Sequence, residues 1–226
     1  MCFAKRDLLK RKILIVDDHA VFREGLIRIL GHEKDVMVCG DAEDGIEGIR
    51  KAKELKPDLI IVDISLEGMN GIQLIKNLRA ELPTLRILVL SMHKEALHAE
   101  RALRVGANGY IMKRERVQQL LAAIRLVLSG GTYVSEKFNA YLLGKLVSPT
   151  GQTGGSPTDT LTDRELEIFQ LIGQGYGTRQ MADALHLSIK TIEFHRENIR
   201  AKLNLNSTFE LVQHAIHWSH YENENT

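Results

Sequence analysis

Aromatic residues are scarce in this chain of 226 residues: Phe, Tyr and Trp make up 5% of it, whereas apolar residues as a whole reach 44%. The hydrophobic cores must therefore be aliphatic, and the length suits one large domain or two ordinary ones. Cysteine is nearly absent. Cys2 and Cys39 lie too far apart for a zinc-ligand spacing or a small disulfide framework. Cys39 follows three apolar residues and is predicted to be a buried thiol.

The chain also lacks an excess of charge of either sign and long apolar runs. The formal net charge is +1, so bulk charge identifies no partner. No apolar run is long enough to span a bilayer. The N-terminal stretch MCFAKRDLLKRK has basic residues but not the apolar region and cleavage site of a signal peptide. We therefore expect a cytoplasmic protein without a membrane partner.

Short apolar runs alternate with helical patterns in the first part of the chain. The strand-like runs are 12–17, 35–41, 58–63, 86–91 and 109–113. Between them, apolar residues recur at spacings of three and four, as in 20–30, 44–55 and 71–82. This alternation predicts a parallel sheet covered by helices on both faces, an α/β fold.

The alternation stops after a helical segment, 114–131, which ends in two glycines, and a further helical piece follows at 135–147. Residues 148–160, SPTGQTGGSPTDT, contain no apolar side chain and have the composition of a linker. The rest of the chain has helical patterns only. We therefore predict a domain at 12–130, a linker with a helical first part at 131–160, and an all-α domain at 161–220.

Polar side chains stand at the ends of four predicted strands. Asp17 and Asp18 follow the first, Asp63 ends the third, Ser91 the fourth and Lys113 the fifth. The carboxyl ends of parallel strands share one edge of a sheet, where such folds place their functional crevice. Clustered carboxylates repel one another unless a cation joins them, and oxygen ligands suit Mg²⁺. Each residue alone is typical of a cap, a turn or a solvated charge. Together they indicate phosphoryl chemistry.

The motifs VDDH, IIVDISLEGMNG, LVLSMH and ANGYIMK resemble those of the response-regulator receiver domain, over residues 12 to about 130. The resemblance implies the flavodoxin-like (βα)5 fold and a sensor histidine kinase as partner. It implies that Asp63 is the phosphoacceptor. Further implied roles are Mg²⁺ binding by Asp17, Asp18, Asp63 and the backbone carbonyl of Ser65, a switch pair Ser91 and Tyr110, and contact of Lys113 with the phosphoryl group.

Three neighbouring residues bear on this pocket. Glu67 stands where many receiver domains have proline, which removes no ligand. His93 lies at a position that, with Ser65, often tunes the lifetime of the phosphoryl group in this family. His19 directly follows the Asp pair, and we interpret it as a loop or helix-start residue rather than a base or metal ligand.

The C-terminal part predicts four helices with a helix-turn-helix. Thr162 and Glu165 form a capping-box pattern before the first helix, 161–175. A short helix at 178–187 and a longer one at 188–205 follow, then a fourth at 207–218, and the tail 221–226 is expected to fray. On the third helix we expect four residues to face inward: Ile189, Ile192, Ile199 and Leu203.

Charge alone does not decide the partner of this part. Residues 161–226 hold six Lys and Arg against nine Asp and Glu, although four of the cations cluster between 190 and 202. A DNA-binding domain usually carries a basic surface. Without further information, DNA binding and a protein-docking helical bundle both remain open.

The motifs LTDREL, GYGTRQMADALHLSIKTIEFHRENIRAKL and ELV resemble the four-helix LuxR-type output domain of the NarL/FixJ response regulators. The resemblance implies that helix 188–203 enters the major groove of double-stranded DNA. Glu193, Phe194 and Glu197 would lie near base edges, where Glu can accept from cytosine and a phenyl ring can touch thymine. The glutamates could equally be solvated. The other implied contacts, mostly to phosphates, are Thr178, Arg179, Lys190, Thr191, Arg196, Arg200 and Lys202.

Together the two resemblances imply a non-enzymatic two-component regulator, switched by phosphorylation of Asp63 between two states. Phosphorylation would favour a homodimer that binds repeated half-sites and acts with RNA polymerase. A phosphohydrolase would normally show D-x-D on one strand, and a flavin carrier a Ser/Thr/Gly-rich loop after the first strand; both patterns are missing here. A phosphorylation-independent DNA-binding regulator remains open.

Overall fold

The structure is a computed structural model that describes residues 10–66, 69–92, 95–147, 157–185 and 187–224. Contacts divide the chain into two compact units, Met1–Ser148 and Pro149–Thr226. Glu67, His93 and residues 148–156 of the predicted linker lie outside the described residues. Within the described ranges, no helix is both long and apolar enough to cross a membrane.

The first unit is a five-stranded parallel sheet with strand order β2-β1-β3-β4-β5. This is the flavodoxin-like order, in which the chain reverses direction across the sheet after β1 and β2. The fold class predicted from the sequence is therefore confirmed. The elements are β1 Arg11–Val16, α1 Ala20–Gly31, β2 Val36–Ala42, α2 Gly45–Leu55, β3 Leu59–Asp63, α3 Gly71–Glu81, β4 Arg86–Ser91, α4 Glu95–Arg104, β5 Gly109–Met112, α5 Val117–Leu128 and α6 Glu136–Val147.

Alternate residues of each central strand supply two cores, one on each face of the sheet. From β1, Ile13 and Ile15 pack in a cluster with residues of α1 and α5, whereas Leu14 and Val16 pack in a second cluster with residues of α2, α3 and α4. This is why the strands are continuous apolar runs: both faces of a parallel sheet are covered. The apolar run of each strand stops at the edge of the sheet that meets solvent, and the polar residues begin there.

Residues just after α5 add to the edge of the sheet, which the sequence patterns did not predict. Tyr133 forms an isolated parallel bridge with Gly109 of β5, and its carbonyl accepts from the backbone N–H of Tyr110 at 2.8 Å. Phe138 of α6 is buried in the same core cluster as Tyr110. The first part of the predicted linker thus packs on the α/β unit.

In residues 157–185 and 187–224, the second unit is all helical, around one aliphatic and aromatic core. Its first described element is a short 3₁₀ helix, Pro157–Thr160, in a stretch predicted as linker. Its α-helices are α7 Asp163–Gly173, α8 Thr178–Ala184, α9 Ile189–Lys202 and α10 Thr208–Glu224. The capping box of α7 is present: the Thr162 side chain accepts from the Glu165 N–H, and Glu165 Oε2 accepts from the Thr162 N–H at 2.7 Å.

Three local predictions were wrong. Helix α10 continues to Glu224, so most of the tail expected to fray is helical. Ile189 does not face inward: it is 43% exposed at the first position of α9, where a helix has no preceding turn to bury it. Cys39 is only partly buried, since β2 is an edge strand, and its Sγ lies 3.4 Å from the Ile13 carbonyl. Burial raises the pKa of this thiol.

Candidate functional site

The acidic pocket forms at the carboxyl edge of the sheet, where β1 and β3 are direct neighbours. Val16 pairs with Val62, so the next residues along the two strands, Asp17 and Asp63, come side by side. Both side chains are only 2% exposed. Two buried carboxylates this close repel each other strongly unless positive charge lies between them. The sheet register therefore places two carboxylates where a cation is needed to offset their repulsion.

Lys113 supplies part of the positive charge that these carboxylates need. Its ammonium lies 2.7 Å from Asp17 Oδ2 and 2.7 Å from Asp63 Oδ2, with its side chain 3% exposed. The ring of Phe22 lies beneath the same ammonium, with its centroid 4.6 Å from Nζ. The backbone N–H of Lys113 donates to the Ser91 carbonyl at 2.7 Å, which joins the ends of β4 and β5. One ammonium thus bridges the ends of the first and third strands.

The remaining predicted pocket residues lie on β4, on β5 and in the loops after β1 and β3. Ser91 and Tyr110 are fully buried, in β4 and β5 respectively. The Ser65 N–H donates to Asp63 Oδ1 at 3.2 Å, so the loop after β3 already folds back on the phosphoacceptor candidate. Asp18 is partly exposed and completes the acidic group. The structure therefore brings together the ends of strands that are distant in sequence, as the strand-end pattern predicted.

His19 is the N-cap of α1, which fits its interpretation as a helix-start residue. Its side chain nevertheless belongs to the pocket: Nδ1 lies 2.7 Å from Asp18 Oδ1 and 3.8 Å from Asp63 Oδ2. Ligand atoms of Asp17, Asp18, His19 and Asp63 all lie within 4.8 Å of one another. Sequence reasoning missed this placement. Adjacency to the Asp pair was the signal that could have indicated it.

The helix-turn-helix lies in α8 and α9 of the second unit. Ser188 caps α9 by accepting from the Thr191 N–H at 3.0 Å. Ile192 and Ile199 are buried in the core, which turns the opposite side of α9 to solvent. Phe194 is 64% exposed on that side. Glu193 and Glu197 are exposed beside it.

Some of the predicted DNA-contacting cations already have partners within the unit. Arg196 Nη1 donates to Thr178 Oγ1 at 3.0 Å, and Arg200 Nη2 lies 2.8 Å from Glu197 Oε1. These residues share a shallow cavity of about 320 Å³ between α8, α9 and α10. Its lining consists of Thr178, Glu193, Arg196, Glu197, Arg200, Thr208 and Leu211.

Lys202 is exposed but already has an ion-pair partner within the second unit. Its ammonium lies 2.6 Å from Glu165 Oε2, so it links the end of α9 to the capping box of α7. Burial alone would raise the pKa of Glu165, but the hydrogen bonds from Lys202 and from the backbone of Thr162 outweigh it and lower the pKa. Arg179 and Lys190 are exposed. Lys202 differs from them in its ion pair with Glu165 and not in its exposure.

A flavodoxin-like unit with an acidic crevice and a helix-turn-helix unit on one chain define a DNA-binding response regulator. The family model for the response regulator receiver domain matches residues 13–125, and the model for bacterial regulatory proteins of the luxR family matches residues 159–215. The chain therefore belongs to the two-component response regulators of the NarL/FixJ family. Members of this family regulate transcription, and the chain is not an enzyme.

The oxygen regulatory protein NreC of Staphylococcus carnosus (strain TM300) is 40% identical over 209 residues, which cover 91% of this chain and 96% of that protein. NreC of Staphylococcus aureus (strain USA300) is 41% identical over the same length.

Among solved structures, RcsB from Salmonella enterica serovar Typhimurium, bound to promoter rprA with the phosphomimetic BeF3−, matches with a TM-score of 0.58. It is 26% identical, and the match covers 90% of this chain and 97% of that chain. A LuxR-family two-component response regulator from Aurantimonas sp. SI85-9A1 also has a TM-score of 0.58, at 30% identity, covering 61% of this chain and 99% of that one.

Proposed function

We propose that Asp63 accepts a phosphoryl group from the phosphohistidine of a sensor kinase. A carboxylate oxygen of Asp63 attacks phosphorus, the P–N bond breaks, and the kinase imidazole leaves with a proton. The observation that carries this proposal is the buried Asp63 beside Asp17, with a single ammonium bridging the two. After transfer, Lys113 remains within reach of the new phosphoryl oxygens, because it already contacts the accepting carboxylate.

Mg²⁺ fits the donors of this pocket. Asp17 and Asp63 share one lysine, and Asp18 lies in the same cluster, which leaves net negative charge for a cation to neutralise. The carboxylate oxygens are hard ligands, which Mg²⁺ prefers. Asp17, Asp18, Asp63 and the backbone carbonyl of Ser65 would hold the ion. When bound, it would supply charge neutralisation to the phosphoryl oxygens during transfer.

Ser91 and Tyr110 are proposed as the switch. Both are buried, and Ser91 ends β4, the neighbour of the accepting strand β3, whereas Tyr110 lies one strand further on, in β5. A new charged group on Asp63 would draw the Ser91 hydroxyl toward it. Tyr110 would then fill the space that Ser91 leaves. Because Tyr110 packs in the same core cluster as Phe138, its movement would reach α6.

The second unit, called the output unit from here on, is proposed to bind double-stranded DNA through α9. The protein would do so as a phosphorylation-dependent homodimer, in the cytoplasm and together with RNA polymerase. Support comes from RcsB, which has been solved as a DNA complex and, in another structure, as two dimers on two parallel DNAs. Thr178, Arg179, Lys190, Thr191, Arg196 and Arg200 would contact phosphates, with Glu193, Phe194 and Glu197 near base edges. Lys202 is the least favoured of the predicted phosphate contacts, because its ammonium already pairs with Glu165.

We also propose that the functional boundaries are those of the sequence patterns: receiver domain 12–130, linker 131–160 and DNA-binding domain 161–220. The α6 segment within that linker packs on the receiver core through Phe138. A receiver fragment that ends before α6 would therefore expose apolar surface, so isolated receivers are best prepared with α6 included.

Intact mass tests the proposal directly. Wild type and Asp63→Asn are incubated with Mg²⁺ and a phosphorylated kinase or acetyl phosphate. One phosphoryl adduct on wild type, lost with hydroxylamine and missing from Asp63→Asn, is the expected result. An adduct on both proteins would place the acceptor elsewhere. Wild type that gains no adduct from either donor, yet still binds DNA, would support the alternative of a phosphorylation-independent regulator.

A further inference from the structure

Arg23 contacts the acidic pocket without lining it. It lies in the first turn of α1, six residues after Asp17, and its side chain is 14% exposed. Its Nη1 donates to the backbone carbonyl of Asp17 at 2.6 Å, and its Nε donates to Asp41 Oδ2 at 2.9 Å. Asp41 belongs to β2, the strand whose end contributed nothing to the predicted pocket. Arg23 thus ties the loop after β1 to β2.

The backbone of Asp17 is held from both sides as a result. Its N–H donates to the Ala42 carbonyl of β2 at 3.1 Å, and its carbonyl accepts from Arg23. On the side chain, Oδ1 accepts from the His19 N–H at 2.9 Å and Oδ2 meets Lys113. Among these four partners, the guanidinium is the one that comes from the body of α1.

Such anchoring matters for the ion proposed above. Mg²⁺ demands near-ideal octahedral geometry, so an Asp pair on a loop binds it well only if the loop is fixed beforehand. Groups that orient metal ligands without touching the metal typically change its affinity by about 10- to 100-fold. We propose that Arg23 is a positioning residue for the Mg²⁺ site. Arg23 holds Asp17 and Asp18 in place by anchoring their loop to Asp41. This inference rests on the proposed function.

The competing interpretation is a plain surface ion pair. Asp41 is 42% exposed, and an ion pair with one solvated partner typically contributes little to folding stability. The two interpretations separate cleanly. Loss of a surface pair leaves Mg²⁺ affinity unchanged, whereas loss of an anchor weakens Mg²⁺ binding with little change in stability.

Arg23→Lys is the variant of choice. Lysine keeps the charge, but its single nitrogen cannot reach both acceptors with the fixed geometry of a guanidinium. Arg28→Lys, an exposed position on the same helix, is the matched control. The full-length proteins are titrated with MgCl2 by isothermal titration calorimetry, and the Mg²⁺ dependence of acetyl phosphate labelling is followed by intact mass. Thermal unfolding in EDTA reports any folding defect.

The expected result for Arg23→Lys is a Kd for Mg²⁺ raised about tenfold, the low end of the range for orienting groups. Labelling at saturating Mg²⁺ should recover to the wild-type rate, because Arg23 touches neither the acceptor nor Lys113. In EDTA the melting temperature should match that of Arg28→Lys. Asp41→Asn should weaken Mg²⁺ binding in the same direction, and the double variant should add little to Arg23→Lys.

Equal Mg²⁺ affinity in Arg23→Lys and wild type would overturn the inference, as would a labelling defect that persists at saturating Mg²⁺. The proposed function fails in a different way. Wild type that binds Mg²⁺ but gains no phosphoryl group from kinase or acetyl phosphate would remove the phosphoacceptor role while leaving the positioning role measurable. Wild type without Mg²⁺ binding would overturn both.

Discussion

Single side chains in the pocket have roles that their neighbours cannot take over, and Lys113 is the clearest example. It is the residue that places positive charge between the buried Asp17 and Asp63. Removing one partner of a buried, hydrogen-bonded ion pair is much more costly than never having built the pair, because the remaining charges stay buried without compensation.

Lys113→Met should therefore lower the free energy of unfolding of the metal-free protein by about 3 kcal/mol. Mg²⁺ should restore part of that loss, because it neutralises the same carboxylates. Urea unfolding followed by circular dichroism, in EDTA and in Mg²⁺, measures both effects. Lys76→Met, at an exposed position of α3, is the control. Equal stability of Lys113→Met and the control in EDTA would contradict the argument.

Gly71 shows how a residue without a side chain supports the phosphoacceptor. A Cβ at this position, the start of α3, would lie 2.3 Å from the Asp63 carbonyl oxygen and 2.6 Å from Ile64 Cα. Both contacts are with backbone, which cannot swing away as a flexible side chain could. The close approach also allows the Gly71 N–H to donate to the Ile64 carbonyl at 2.9 Å.

We predict that Gly71→Ala destabilises the protein by about 1–3 kcal/mol, the usual cost of overpacking, and slows labelling of Asp63 by displacing its backbone. Gly25→Ala is a control of opposite sign: a Cβ there meets nothing within 4 Å, and alanine is a better helix former by about 1 kcal/mol. Urea unfolding of both variants checks the prediction, which fails if Gly71→Ala is as stable as wild type.

Among the elements, α7 and α9 are joined by a device that acts at two helix ends. Glu165 accepts the Thr162 N–H at the start of α7 and the Lys202 ammonium from the end of α9. Each contact satisfies a feature of a helix terminus: an orphan backbone donor at one end and a favourable cation at the other. Helix α9 is therefore anchored to the capping box of α7.

Glu165→Gln should lower the stability of the output unit by about 1 kcal/mol at pH 7, from loss of the cap and of the charge pair. The fluorescence of Trp218, the sole tryptophan, which packs 5.4 Å from the Phe169 ring, reports unfolding of this unit in urea. Glu193→Gln, an exposed position on α9, is the control for removing a glutamate charge.

The same pair of proteins should show a pH dependence of known sign. The pKa of Glu165 is lowered in the folded unit, so its carboxylate stabilises the fold fully above the ordinary value of 4.5. That contribution is lost as pH falls through the folded pKa. The stability gap between wild type and Glu165→Gln should therefore shrink in acid. A gap that stays constant between pH 7 and pH 3 would contradict the assignment.

At the scale of the whole molecule, each unit closes its own core, and charge is distributed unevenly between them. The chain carries +1 overall, but the part after residue 160 is net acidic. Long-range attraction to DNA should therefore be weak, and affinity should depend on having two output units on one DNA. The proposed dimerisation would then control the affinity for DNA.

Phosphorylated wild type should therefore sediment as a dimer and bind DNA with two half-sites one helical turn apart, about 10 base pairs centre to centre, more tightly than DNA with the second half-site moved by half a turn. Asp63→Asn should remain a monomer and show no spacing preference. Analytical ultracentrifugation and fluorescence anisotropy at a stated salt concentration measure this. Tight binding of unphosphorylated monomers to a single half-site would contradict it.

Features that depend on neighbours in the chain could be predicted from the sequence by itself. The continuous apolar runs predicted parallel strands, because burial on both faces removes the need for alternation. The Thr162–Glu165 box predicted the start of α7, because its bonds span three residues. The strand-end pattern also predicted the edge where Asp17, Asp63, Ser91 and Lys113 gather, since parallel strands all point the same way.

Contacts between distant segments were decided only by the tertiary structure. The bridging position of Lys113, the link from Arg23 to Asp41 and the pairing of Lys202 with Glu165 all depend on strand register and helix packing. Ile189 matched the apolar spacing of α9, but it is exposed at the first position of that helix. Periodicity cannot distinguish an exposed helix end from a buried helix face. Local bonds follow the spacing of residues along the chain, whereas the geometry of the site follows from which elements the folded cores bring together.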